Sequence, residues 1–360
     1  MSPTPRLQRP PAEVLHADEL EALARSDKAP RPPGWRLSML AVRQFIAGGA
    51  GSPRKVVCAP SLIERAMVTL ASNRALLLVG EPGTAKSLLS ELLAAAVSGT
   101  STLTVQGSAA TSEDQIKYGW NYALLLNEGP SPRALVPSPL YRAMSEGRVA
   151  RFEEITRCPP EVQDALLSIL SERLMVVPEL GDAGAVFAVP GFNLIATANT
   201  RDRGVNEMSA ALKRRFSFET VFPIADHDDE MALVQSEVAR LLAHDGVPRT
   251  LSADVLEVLV TTFRELRTGL DKDGTAGERL ATVVSTAEAV SVAHAVALRG
   301  HYLRGDAGQP GDIVEALAGA AAKDNADDLK KIRRYIEQRA SRRKGAHWKA
   351  FHAARHLLPE

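Results

Sequence analysis

The chain has 360 residues, 45% of them apolar, and its 43 Lys+Arg balance 43 Asp+Glu. The apolar share excludes a disordered chain, and the charge balance excludes a surface built as a whole for a polyanion. Aromatics are 5% of the residues, which disfavours an all-β sandwich; the two cysteines, Cys58 and Cys158, lack metal-site spacing, which excludes a disulfide scaffold or zinc module.

The first 34 residues carry seven prolines, including Pro10-Pro11 and Pro32-Pro33. Proline fixes φ and removes a backbone donor, so this segment is expected to be extended or poorly ordered, with one short helix over 13–25. Residues 35–46 place apolar side chains at helical spacing and predict a docking helix. No hydrophobic stretch at the start suits a signal peptide, and no apolar run approaches the roughly 18 residues of a membrane span. The expectation is a soluble cytoplasmic protein with no membrane partner.

From Val56 the pattern alternates. Leu62, Ala66 and Leu70 lie at helical spacing, and 75–79 is a continuous apolar run of the kind that forms a strand covered on both faces. An amphipathic helix over 87–97 follows. Strand-like segments recur at 102–105, 149–152, 193–198 and 216–222, with a helix over 160–174. Alternating β and α predicts a parallel α/β sheet. After Pro223 the strands stop, and 230–242, 253–266, 278–299 and 313–322 read as helices, with Ser252 and Gly300 as caps. The stretch 330–360 carries ten Lys/Arg against two acids, with Tyr335, Trp348 and Phe351 among them. The expected division is a Pro-rich segment (1–55), an α/β domain (56–222), an all-α domain (223–322) and a basic helical tail (323–360).

Four motifs and one further arginine carry chemistry. Gly80-Glu81-Pro82-Gly83-Thr84-Ala85-Lys86-Ser87 joins the first strand to a helix whose first turn includes Leu88. A glycine-containing turn lets backbone N–H groups point at phosphates, and the helix N-terminus adds partial positive charge. Lys86 would reach the β- and γ-phosphates and Ser87 would offer a hydroxyl to Mg²⁺. Glycine usually precedes the lysine of such a loop; here it is Ala85, which helical φ/ψ would tolerate. Glu153 and Glu154 end the strand at 149–152, where parallel sheets place functional groups. Glu153 could hold Mg²⁺, usually through water, and Glu154 could orient and deprotonate an attacking water. In many such proteins the first acid is Asp, and Arg151 interrupts the apolar run. Asn199 ends the strand 193–198 and could contact a γ-phosphate. Lys213, Arg214 and Arg215 precede the last strand, where an arginine can serve phosphoryl transfer from a neighbouring copy. Arg279 follows Gly277 at the start of a predicted helix. Each motif has a plainer reading: a surface lysine after a turn, a solvated acidic turn, a capping Asn, a basic patch.

Together, GEPGTAKS, RVARFEEI, LIATANT, ALKRRF and GERLATVVSTAEAVSVAHAVALRG resemble the AAA+ superfamily, most closely its MoxR-like branch, over about 56–300. The resemblance implies a P-loop fold with a helical lid, Mg-ATP as cofactor, and ATP hydrolysis. It implies a Walker A loop at Gly80 to Ser87, a Walker B pair at Glu153 and Glu154, a sensor Asn199, and a sensor arginine at Arg279. The arginine finger falls on Arg215, with Arg214 the second choice. A loop inserted at 107–128 and a hairpin of 173–177 with 185–189 match insertions that face the central pore in relatives. The resemblance further implies a hexameric ring and a protein client, with von Willebrand factor A domain proteins as partners of many members. Two other functions stay open: a nucleic-acid-associated motor, for which the basic, aromatic-bearing tail is the local support, and a nucleotide-dependent switch with little turnover, hinted at by Glu153 in place of Asp.

Overall fold

The computed structural model describes residues 7–49, 51–199, 206–271, 273–282, 284–323 and 325–359. Thr200 of the sensor motif, Pro3 and Pro5 of the N-terminal segment, and Val283 within 278–299 lie outside them. The chain divides into two compact units: residues 1–80 with 85–221, and residues 81–84 with 222–360.

Among its described residues the first unit contains nine strands: β1 (Ala75–Gly80), β2 (Thr104–Gln106), β3 (Tyr118–Trp120), β4 (Leu135–Pro137), β5 (Val149–Glu153), β6 (Leu174–Val176), β7 (Ala185–Phe187), β8 (Asn193–Asn199) and β9 (Phe216–Thr220). Five of them form a parallel sheet in the order β2-β5-β8-β1-β9. In β1 the two-residue alternation sends Leu76 and Leu78 into one apolar cluster and Ala75 and Leu77 into another. Both faces of the sheet are therefore covered, which is why the run reads as uninterrupted hydrophobicity.

The helix after β1, Lys86–Ser98, is buried on nearly every side, not amphipathic as its pattern suggested. The N-terminal segment explains this. Leu20, Leu23, Trp35, Leu37 and Phe45 share one core with Leu89, Leu92, Leu93 and Val97. The described part of that segment is thus folded: the short helix expected over 13–25 is two helices, Ala12–Leu15 and Ala17–Ser26, and the docking helix expected over 35–46 is Met39–Ala47. Glu91 holds it from the helix side by accepting from Ala12 N (3.1 Å) and Arg9 Nη2 (3.1 Å). Each fully buried Leu or Phe in this layer contributes about 1.5–3 kcal/mol, enough to overcome the local bias of the prolines.

The insertions are formed as expected in outline. β3 pairs antiparallel with β4, followed and preceded by the short helices Tyr122–Glu128 and Glu113–Ile116, and β6 pairs antiparallel with β7. The helix expected over 160–174 is two pieces, Pro160–Asp164 and Leu166–Ser171, and the chain is already in β6 by Leu174.

The second unit is helical beyond residue 222. Its core joins Val238, Leu256, Leu259 and Phe263 to Val292, Ile313 and Leu317, and equally to Ile332, Ile336, Trp348 and Phe351. Residues 323–360 therefore share one core with 223–322. Trp348 is 2% and Phe351 0% exposed, and Tyr335 is buried with its hydroxyl donating to Glu265 (2.9 Å). None of these rings presents a face on which a base could stack, which removes the aromatic part of the nucleic-acid expectation.

Two boundaries differ from the sequence pattern. Ser252 caps Ala253–Thr268 through its side chain, as expected, but Gly300 does not stop its helix. It is right-handed at φ −58, and the chain runs through a wide turn to a left-handed Gly305. The helix expected from 278 begins at Thr286. Asp328 takes the N–H groups of Ala281 (2.8 Å) and Thr282 (2.7 Å) that an earlier helix start would have used, and Ser285 with Glu288 forms a capping box at the true start.

Candidate active site

The carboxyl ends of β1, β5 and β8 lie side by side, and the expected Walker A, Walker B and sensor residues sit on them. Parallel register sets Gly80 opposite Asn199 and Leu78 opposite Thr197, while β5 follows β8 on its other side. The crowding is close enough to dictate a residue type. Gly107 N donates to Glu153 O (2.7 Å), and a Cβ on Gly107 would stand 2.3 Å from Glu154 O, so only glycine fits there.

Lys86 is 6% exposed and donates from Nζ to Gly80 O (3.1 Å). Ser87 and Leu88 follow on the exposed side of the first helical turn. Ala85, just before them, is left-handed at φ 64, ψ 22, not helical as expected. Its methyl is therefore a source of strain, on the order of 1–2 kcal/mol, held by the strand and helix on either side. Gly83 is left-handed as well, where glycine bears no such cost.

Glu153 is the hub. Its Oε2 accepts from Ser87 Oγ (2.7 Å) and Thr197 Oγ1 (2.8 Å), and its Oε1 accepts from Ser90 Oγ (2.8 Å) and Arg151 Nη2 (2.7 Å). Burial alone would raise its pKa. The hydrogen bond from Ser87, the Arg151 charge and the hydroxyls of Ser90 and Thr197 outweigh burial and hold the carboxyl below the ordinary value. An oxygen-only cradle of two hydroxyls and a carboxylate suits a hard cation such as Mg²⁺. Ser87 could ligate through a lone pair while its hydroxyl proton stays hydrogen-bonded to Glu153, which is how Glu153 would act without direct ligation. Among the described residues no cluster of three or more His, Cys, Asp or Glu could hold a metal by itself.

Glu154 comes one residue later and is the second left-handed non-glycine at φ 55, ψ 47. That turn swings its side chain off the strand, where Arg157 forms an ion pair with Oε2. Its N–H donates to Thr197 Oγ1 (3.0 Å), so a single hydroxyl ties the two acids together. Asn199 is half-buried at the end of β8. Of the two finger candidates, Arg215 is tied within its own chain by donating from Nε to Ser171 Oγ (2.6 Å), whereas Arg214 is exposed. Arg279 is exposed on an irregular segment of the helical unit, seven residues ahead of the helix it was expected to open.

Sequence reasoning passed over Thr197, Ser90 and Arg157, and took Arg151 as a flaw in the strand. The signals were a Thr inside the otherwise apolar Leu194–Ala198 run and an Arg two places before an acid on the same strand face.

A five-stranded parallel sheet with a phosphate-type loop after β1 and paired acids at the end of β5 defines a P-loop protein of the AAA+ class. The description "AAA domain (dynein-related subfamily)" matches residues 75–216, and "YehL-like AAA+ ATPase C-terminal domain" matches residues 228–359. The chain is 61% identical over 356 residues to the protein printed as "Uncharacterized protein YehL" of Escherichia coli (strain K12), covering 98% of each. The chain belongs to the YehL-like AAA+ ATPase family. A more distant relative from Staphylococcus aureus (strain USA300) is 32% identical over 145 residues, 40% of this chain and 54% of that protein. Solved structures with similar folds include the Thermotoga maritima RuvB branch migration motor (TM-score 0.46, 13% identity, 78% of this chain and 76% of that one). NtrX from Brucella abortus has a TM-score of 0.45 at 14% identity, over 74% of this chain and 54% of its own length, so the chain spans about half of it. No helix among the described residues is long and apolar enough to cross a membrane.

Proposed function

We propose that this protein binds Mg-ATP at Gly80 to Ser87 and hydrolyses it, working as a ring-shaped homo-oligomer that remodels or activates a protein partner, in the manner of the MoxR-like branch. The observation that carries the reading is the convergence of Ser87, Glu153 and Thr197 beside Glu154 at the carboxyl ends of adjacent strands. Lys86 and the backbone amides of the loop would take the phosphates, since dense negative charge needs donors at short range. A bound Mg²⁺ would neutralise phosphate charge and polarise the terminal phosphoryl group. Glu154 would accept the proton of the attacking water, and Asn199 would orient that water or the γ-phosphate. Arg214 or Arg215 would meet the developing charge from a neighbouring copy, and Arg279 would contact the nucleotide from the helical unit.

Client remodelling rests on the family's implied partners, von Willebrand factor A domain proteins among them, and on the two formed insertions. The test is ATPase rate per chain against protein concentration, together with capture of clients by Glu154→Gln loaded with ATP. A rate that climbs with assembly and a client held only in the ATP-loaded variant support the reading. A flat, near-zero rate at all concentrations would leave a nucleotide switch instead.

A further inference from the structure

A buried arginine in a central strand needs a reason. Residues i and i+2 of a strand face the same way, so Arg151 and Glu153 project together from β5 toward the helix Lys86–Ser98. Both are buried, at 8% and 6% exposure. Burying one charge without the other would be heavily penalised, and even a pair is retained at a cost in desolvation unless every donor finds a partner. Here they do. Arg151 Nε donates to Ser90 Oγ (2.9 Å), Nη1 to Ser101 O (3.1 Å), and Nη2 to both Ser87 O (3.1 Å) and Glu153 Oε1 (2.7 Å). The guanidinium therefore grips the residue expected to meet Mg²⁺, the helical turn that bears it, and the acid behind it. Glu153 in turn has two donors on each oxygen, about as many as a carboxylate takes.

We infer that Arg151 is a positioning residue that fixes Glu153 and cancels its charge, so that the cradle takes up a divalent cation only together with a triphosphate. The inference rests on the Mg-ATP reading above and deepens it. With Arg151 paired to Glu153, and Lys86 adjoining Ser87 in the chain, the cradle offers no net negative charge. Glu154, the other acid, is paired with Arg157. A strongly hydrated cation does not shed water for a neutral or positive site, and Mg²⁺ is commonly held by one or two carboxylates plus substrate phosphates. The phosphates supply the missing negative charge. The glutamate also finds a role here: its extra methylene lets one carboxylate span Arg151 on one oxygen and the Ser87–Thr197 pair on the other.

The probe is Mn²⁺ without nucleotide, followed on the full-length protein by electron paramagnetic resonance, with Mn-ATP titrated in parallel. Wild type is expected to bind Mn-ATP while leaving Mn²⁺ alone free at the same concentrations. Arg151→Met, which removes the cation and keeps the bulk, is expected to bind Mn²⁺ alone at least roughly tenfold more tightly than wild type, the size of effect that partners of a metal site commonly have. Arg151→Lys, which restores the charge, is expected to return to wild-type behaviour. Ser87-dependent uptake of Mn²⁺ alone by wild type overturns the inference, whether or not Arg151→Met folds, and so does a folded Arg151→Met that binds Mn²⁺ no better than wild type. Absence of Mn-ATP binding by wild type overturns the nucleotide reading itself, which separates the two failures.

Discussion

The Thr197 hydroxyl donates to Glu153 Oε2 at 2.8 Å and accepts from the Glu154 N–H at 3.0 Å, so one side chain on β8 sets the position of both acids at the carboxyl end of β5. Thr197→Val keeps the shape and removes both bonds. The expected outcome is a roughly 10- to 100-fold weaker Mg²⁺ dependence of nucleotide binding, as for other partners of metal-site residues. Calorimetry of ATP binding across a Mg²⁺ series checks this, and an unchanged Mg²⁺ dependence would show that Thr197 is ordinary strand packing.

Glu154 is placed off the strand by its left-handed backbone. Glu154→Gln is expected to keep ATP affinity and to lower turnover by roughly 10²-fold or more, the loss that follows removal of a general base. Single-turnover hydrolysis measured beside equilibrium binding makes the comparison. Normal hydrolysis by the variant would mean that another group takes the proton.

The two finger candidates separate by their surroundings. Arg215 is bonded to Ser171 at 2.6 Å, and Arg214 stands exposed. Arg214→Ala is expected to cut assembled ATPase activity by roughly 10³-fold with ATP affinity nearly intact, as for an arginine supplied to a neighbour's phosphates. Arg215→Ala is expected to have the smaller effect on turnover and to loosen the helix bearing Ser171. Mixing each variant with Glu154→Gln chains, and asking which mixture recovers activity, discriminates between them. If Arg215→Ala alone abolishes turnover without any loss of thermal stability, the assignment reverses.

In the helical unit, Asp328 holds the Arg279 segment through Ala281 N and Thr282 N, with Lys331 Nζ at 3.0 Å. Burial alone would raise this carboxyl, but the two N–H groups and the lysine keep it below its ordinary value of 3.8. A carboxyl lowered in the folded state stabilises above its unfolded pKa and loses that contribution as pH falls through the folded value. Asp328→Ala is expected to cost about 3 kcal/mol near neutral pH, because two part-buried backbone N–H groups and a lysine lose their buried acceptor. Urea unfolding at neutral pH and again well below the ordinary carboxylate range should show the difference between wild type and variant shrinking in acid. A difference that stays constant with pH would assign the loss to packing alone.

The order of elements and the chemical motifs were legible along the chain because they are local. A covered strand is a continuous apolar run, a phosphate loop is a contiguous string, and paired acids at a strand end are neighbours in sequence. β1, β5, β8 and β9 each fall within about two residues of the pattern, since hydrophobic periodicity is decided by the chain itself. Tertiary contact decided the rest. The proline-bearing start folds because the Lys86–Ser98 helix has an apolar side left to cover, and 323–360 joins the helical core because Ile332, Trp348 and Phe351 find partners up to a hundred residues away. The helix over 278–299 starts late because a distant aspartate takes its first N–H groups. Arg151 looked like a fault in a strand for the same reason: its partners are Ser87, Ser90 and Ser101, some fifty to sixty-five residues distant, and a buried charge can be judged only once the groups that neutralise it are known.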